Sequence, residues 1–282
     1  VSAIAHQHLR SVPAGLQIER FRPSLGATVE GIDLGRPIDD DARETLRRAV
    51  TEHGVLFFRR QELTADQLLA FSGIFGEPLR HNPYLPSVAG HSGIESIEVS
   101  PTKNVRNDSW HADVTWIENP PRFTVLYADE LPAAGGDTVW TSTTGAFDAL
   151  PPLLAQYLES LTAVNSFEAN GFALNSEDHQ RRAEIRAKHP PLDVPVIKTH
   201  PETGRKYVFV SEQHTNYIKN VTRTTSESLL RLIFGVLESP ELQIRFQWDI
   251  GSLAVWDNRL VQHRAIRDYG RNRRVLHRIT IA

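Results

Sequence analysis

Apolar residues recur at helical spacing early in the chain and alternate with polar ones late in it. From about Asp40, acidic residues precede Ala42, Leu46, Ala49 and Val50, which share one helical face, and Gly54 stops the pattern. The uninterrupted apolar run 55–58 then reads as a buried strand. A second helix is predicted from Thr64. Gln67, three residues on, completes a capping box, Leu68, Phe71, Ile74 and Phe75 form the apolar face, and Gly76 ends it. A third is predicted from Thr224, with Glu227 as its box partner, Leu229, Leu232, Ile233 and Val236 as its face, and a stop before Pro240.

Alternation then takes over. Leu242, Ile244, Phe246 and Trp248 alternate with Gln243, Arg245 and Gln247, and further strands are predicted at 253–256 and 275–281. A hairpin is predicted in which 201–204 turns between 194–199 and 206–210. These signals predict antiparallel β-structure accompanied by helices. The stretch 165–191 is polar and charged without a strand pattern, which predicts a mobile insertion or lid. No linker rich in Pro, Gly or Ser divides the chain, so 1–282 is read as one domain.

Composition narrows the chemistry. With 40% hydrophobic and 23% charged residues the chain fits an ordinary globular protein, and a formal net charge of −3 does not suggest nucleic acid as a partner. No run approaches the roughly 18 apolar residues of a membrane span, and residues 1–10 hold two histidines where a signal peptide needs an apolar stretch. A soluble, cytoplasmic protein without a membrane partner is expected. The absence of cysteine excludes disulfides, thiol nucleophiles and cysteine-held zinc or iron–sulfur sites. Any metal must be held by His, Asp or Glu.

His111-Ala112-Asp113 places an imidazole and a carboxylate two residues apart, and on an extended segment both point to one face, about 7 Å apart. With 12 histidines, one or two such triplets arise by chance. The other, His200-Pro201-Glu202, falls in the predicted hairpin turn, where a turn role is sufficient explanation. His263 supplies a third ligand candidate for the first triplet. Two histidines and one carboxylate on one side of a metal leave the remaining positions open, as non-haem iron(II) oxygenases require. An arginine fork and a hydroxyl, Arg274 and Thr138, make a suitable clamp for a carboxylate. Arg274 and Arg278 would share a strand face about 13 Å apart, so that two anions could be held in one cavity. Arg271 and one of the pair Arg273 and Arg274 are expected to be solvated. A zinc hydrolase using the same three ligands would need neither Arg274 nor Thr138.

At this point the chain resembles the taurine dioxygenase family of iron(II) and 2-oxoglutarate-dependent oxygenases, from about Leu16 to its end. The resemblance is carried by Trp110-His111-Ala112-Asp113-Val114-Thr115, Gly135-Gly136-Asp137-Thr138-Val139-Trp140-Thr141-Ser142, His200-Pro201-Glu202-Thr203-Gly204, Trp256-Asp257-Asn258-Arg259, Gln262-His263, Arg274 and His277-Arg278. It implies an α+β, mainly β fold, a double-stranded β-helix (jelly roll) core flanked by helices. It also implies Fe(II), 2-oxoglutarate and O2 as cofactor and cosubstrates, and is compatible with a homo-oligomer. His111, Asp113 and His263 match the iron ligands, Thr138 and Arg274 the residues on the far carboxylate of 2-oxoglutarate, and Arg278 the arginine that holds a sulfonate. His81, Tyr84, Asn107 and Phe172 resemble the remaining substrate contacts. The implied substrate is a small organic anion: taurine or a related alkanesulfonate first, an alkyl sulfate ester or an aryloxyalkanoate as alternatives.

Overall fold

The computed structural model describes residues 15–22, 25–79, 85–100, 107–167, 169, 179–270 and 272–282. Among these, an eight-stranded sheet runs in the order Gln17–Arg20, Ala27–Glu30, Val55–Phe58, Leu253–Asp257, Phe123–Glu130, Arg274–Ile281, His91–Val99 and Ser87–Val88. Its pairs are antiparallel except where 27–30 lies beside 55–58. A smaller sheet of Gln243–Phe246, Thr138–Ser142 and Val261–Ala265 faces it. Phe57 from the large sheet stacks on Phe246 from the small one at 4.2 Å between ring centroids, and Trp140 meets Trp256 edge-on at 5.6 Å. Aromatic side chains thus fill the space between the sheets, as the packing of two inner faces requires. The antiparallel pairing is what the late alternation predicts, and the two facing sheets agree with the jelly roll that the resemblance implies.

Helices close the outer faces. Asp40–His53, capped by Asp39, and Ala65–Ser72 bury Leu46, Val50, Leu68 and Phe71 against Phe58, Val125, Val255 and Ile279 of the large sheet. The Thr64–Gln67 capping box forms as predicted, but the helix stops at Ser72 rather than near Gly76. The late helix, Arg223–Leu237, starts earlier than predicted: the Thr222 hydroxyl takes the Thr225 amide, and Glu227 pairs with Arg223 instead of closing a box. Its buried face is Leu230, Ile233 and Leu237, while Leu232 is exposed.

Of the predicted insertion 165–191, residues 168 and 170–178 lie outside the described ones. His179–Lys188 is a helix, and its Ile185 is buried with Trp116 and Phe167. Among the described residues no helix is long and apolar enough to cross a membrane.

Candidate metal and keto-acid site

His263 lies on the small sheet, on Val261–Ala265, and His111 joins the sheet beside it through a single bridge. The two residues exchange both backbone hydrogen bonds, at 2.8 and 3.1 Å, which brings their rings to 4.2 Å between centroids. The extended 111–113 segment predicted from spacing does not continue past His111. Asp113 sits in a turn whose next residue, Val114, has a left-handed φ of 55°, an unfavourable conformation for a β-branched side chain. The Asp113 amide donates to Asn258 Oδ1 at 3.2 Å, which holds that turn against the sheet. The turn brings the carboxylate back to the histidines: ligand atoms of His111, Asp113 and His263 lie within 4.8 Å of one another, all buried.

Neighbouring groups orient two of the three candidate ligands, while His263 Nδ1 is buried without a hydrogen-bond partner among the described residues. His111 donates from Nδ1 to the Ser109 carbonyl at 2.8 Å, which leaves the Nε2 lone pair for a metal. Thr124 Oγ1 donates to Asp113 Oδ2 at 2.7 Å and is itself held by Asn258 Nδ2 at 2.9 Å. Arg278 Nη1 donates to Asp113 Oδ1 at 2.6 Å. Burial would raise the Asp113 carboxyl, but the Arg278 guanidinium and the Thr124 hydroxyl contribute to holding it well below the usual carboxylate range. Burial lowers His111 and, more strongly, His263, so both imidazoles are neutral at physiological pH. Two neutral imidazoles and a carboxylate are the protonation states that bind a divalent cation.

A second feature faces the same cavity. Arg274 is 2% exposed, and its Nε donates to the Gly136 carbonyl at 3.0 Å. Its Nη2, also buried, has no hydrogen-bond partner among the described residues, and burial pushes the guanidinium's pKa down. Such an orphaned cation calls for an anion. Thr138 Oγ1 accepts from Trp248 Nε1 at 2.9 Å, so its own proton is free to donate. The Gly135-Gly136 pair makes the approach possible. Both residues have φ of +79°, and a Cβ would come within 2.4 Å of Asp268 Oδ1 at Gly135 and 3.0 Å of Arg274 Nε at Gly136. Asp268 in turn accepts the Gly136 amide at 2.8 Å.

His111, His263, Thr138, Arg274, Arg278 and Asn107 line one narrow cavity between the two sheets, with Ile97, Leu126, Trp256, Ala265 and Leu276 as its apolar wall. Arg274, Leu276 and Arg278 share a strand face as the alternation predicts, whereas Arg273 turns outward to Glu98 and Glu130. His81, Tyr84, Phe172 and Arg271 lie outside the described residues. His200 takes the turn role. Its Nδ1 accepts the Glu202 and Thr203 amides at 3.2 Å each, and its Nε2 donates to buried Asp257 at 3.1 Å. Thr124, Ser109 and Glu95, the last a buried partner of Arg278, escape sequence reasoning. Each reaches the site from a distant or unmarked position, and Asn258 alone stood inside a recognisable motif.

The family model for "Taurine catabolism dioxygenase TauD, TfdA family" matches residues 17–280. The chain belongs to this family. As a member of the taurine catabolism dioxygenase family it is a 2-oxoglutarate-dependent dioxygenase, working with Fe(II), 2-oxoglutarate and O2. The zinc hydrolase alternative is thereby set aside. The chain is 35% identical over 278 residues to an alkylsulfatase of Acinetobacter baylyi, covering 95% of this chain and 85% of that protein. It is 32% identical over 273 residues to an alpha-ketoglutarate-dependent sulfate ester dioxygenase of Pseudomonas putida, covering 95% and 89%. The crystal structure of a taurine dioxygenase from Burkholderia xenovorans superimposes with a TM-score of 0.80 at 33% identity, covering 95% of this chain and 89% of that one. The cosubstrates of the family fit the donors found here: the ligand trio suits the iron, and the unpaired Arg274 Nη2 and Thr138 hydroxyl suit a carboxylate.

The buried histidines set a pH dependence of folding. Burial lowers His111, His263 and the adjacent His214, the last to about 3. Below about pH 6.5 the unfolded chain binds protons at these imidazoles and the folded chain does not. Stability is therefore present above that pH and lost as the pH falls below it. Urea unfolding of the metal-free protein is expected to show a lower midpoint at pH 5.5 than at pH 7.5. An equal or higher midpoint at pH 5.5 would contradict neutral buried imidazoles.

Proposed function

We propose that this dioxygenase oxidises the carbon bearing the anionic head of an alkyl sulfate ester or alkanesulfonate. In this reading His111, Asp113 and His263 hold the iron, Arg274 and Thr138 hold the far carboxylate of 2-oxoglutarate, and Arg278 receives the head group. The observation that carries it is that buried Arg274 and largely buried Arg278 line one cavity with His111 and His263, the rest of its wall being apolar apart from Asn107 and Thr138. The bound iron, with 2-oxoglutarate and oxygen, supplies an oxidant able to break a C–H bond, with succinate and carbon dioxide as co-products. The chain's own part is to orient and to exclude. Arg278 presents N–H donors to a charge spread over several oxygens, and Ile97, Leu126 and Leu276 border the path of an alkyl chain.

Hydroxylation at the carbon carrying a sulfate ester gives an adduct that collapses to an aldehyde and sulfate; next to a sulfonate the products are an aldehyde and sulfite. Ile97, Leu126 and Leu276 on the cavity wall favour an alkyl chain over taurine. Asn107 at the wall supports taurine as the second reading. The two relatives named for sulfate ester chemistry support the first. Succinate release should be measured across hexyl sulfate, taurine, hexanesulfonate and an aryloxyacetate, with sulfate, sulfite or phenol identifying the class. Arg278→Ala is expected to raise the KM of the accepted anion about 100-fold, the truncation of one partner of a buried charge pair. The visible band of the iron–keto acid chelate should persist. An unchanged KM would remove Arg278 from the head-group role.

A further inference from the structure

Glu95 is a buried carboxylate that neither the metal nor the keto acid uses. It lies on His91–Val99 directly opposite Arg278 in the register with the last strand, and its side chain is 5% exposed. It accepts Arg278 Nε at 2.6 Å, while Arg278 Nη1 donates to Asp113 at 2.6 Å. Two of the five guanidinium N–H groups are thereby committed, and three remain. A neutral glutamine would also accept from Nε without the desolvation cost of a buried carboxylate. The negative charge therefore has a consequence of its own: it lowers the positive potential at the head-group position.

We propose that Glu95 positions Arg278 and makes the pocket selective for a monoanionic head group, a sulfate ester or sulfonate, over a dianionic phosphate monoester. This rests on the reading of Arg278 as the head-group residue. Holding the guanidinium at Nε fixes its plane, so the remaining N–H groups stay on the cavity shared with His111, His263 and Arg274. Arg278 already lies between two carboxylates. The first negative charge of an incoming head group is met by the free N–H groups. A second charge would face Glu95 and Asp113 with no further cation on Arg278 to offset it.

The test uses the iron-loaded enzyme with 2-oxoglutarate at pH 8, where a phosphate monoester is a dianion, with hexyl sulfate as substrate and hexyl phosphate as competitor. Glu95→Gln keeps an acceptor for Nε and removes the charge. It is expected to improve hexyl phosphate binding relative to hexyl sulfate by about ten-fold or more. Glu95→Ala removes both acceptor and charge. It is expected to raise the hexyl sulfate KM about ten-fold while the 2-oxoglutarate KM moves less than about two-fold, and Glu95→Gln should recover most of that loss. An unchanged phosphate-to-sulfate ratio in Glu95→Gln overturns the proposal, even if Glu95→Ala fails to fold. So does a KM rise that 2-oxoglutarate shares equally. Arg278→Ala separates the two readings. If it leaves the hexyl sulfate KM unchanged, the head-group assignment falls. If it raises that KM while neither Glu95 variant has an effect, only the role of Glu95 falls.

Discussion

His263→Ala is expected to abolish both the iron–keto acid chelate and turnover. The wild-type protein, titrated anaerobically with Fe(II) and 2-oxoglutarate, should develop the weak visible charge-transfer band of the chelate. The variant should develop none, and its succinate production should fall by about 1000-fold or more, equivalent to roughly 4 kcal/mol of barrier. The site offers three ligands within 4.8 Å, and the variant retains two of them. The fold should survive the change, because the bridge between His111 and His263 is made by backbone groups that an alanine keeps. A band of normal intensity in His263→Ala would show that the metal sits elsewhere.

How much of this was legible in the sequence depends on what each feature rests on. Periodicity alone placed the helix beginning at Asp40, and local capping chemistry placed the one following Thr64, because those signals are contained in a few consecutive residues. Cap selection failed at Thr222: several threonines stand close together there, and each offers a hydroxyl. The ligand trio was legible as a set of residue types, but the path between His111 and Asp113 was not. Valine carries no local signal for a left-handed turn, and the Asn258 contact that holds the turn comes from 145 residues away. The Glu95–Arg278 pair spans 183 residues and depends on strand register, which a single sequence does not reveal. Arg274 and Arg273 were separable only because alternation sends neighbours to opposite faces, and the ion pairs of Arg273 confirm which one is outside.

Arg274→Ala is expected to raise the KM for 2-oxoglutarate by about 100- to 1000-fold while the iron ligands remain in place. Truncating one member of a buried, hydrogen-bonded charge pair costs about 2–5 kcal/mol, much of it from the partner left unpaired. In the proposed reading that partner is the far carboxylate of the keto acid. Arg274→Lys is not expected to rescue the loss. An ammonium lacks the planar fork that contacts the Gly136 carbonyl through Nε and keeps Nη2 unpartnered for an anion. The diagnostic comparison is with pyruvate, a keto acid that lacks the far carboxylate. Wild-type enzyme should prefer 2-oxoglutarate strongly, and Arg274→Ala should erase most of that preference by losing affinity for 2-oxoglutarate alone. If the preference survives, another cation must hold the far carboxylate. Arg278 is the other arginine lining the cavity among the described residues, so that outcome would also displace the head-group assignment.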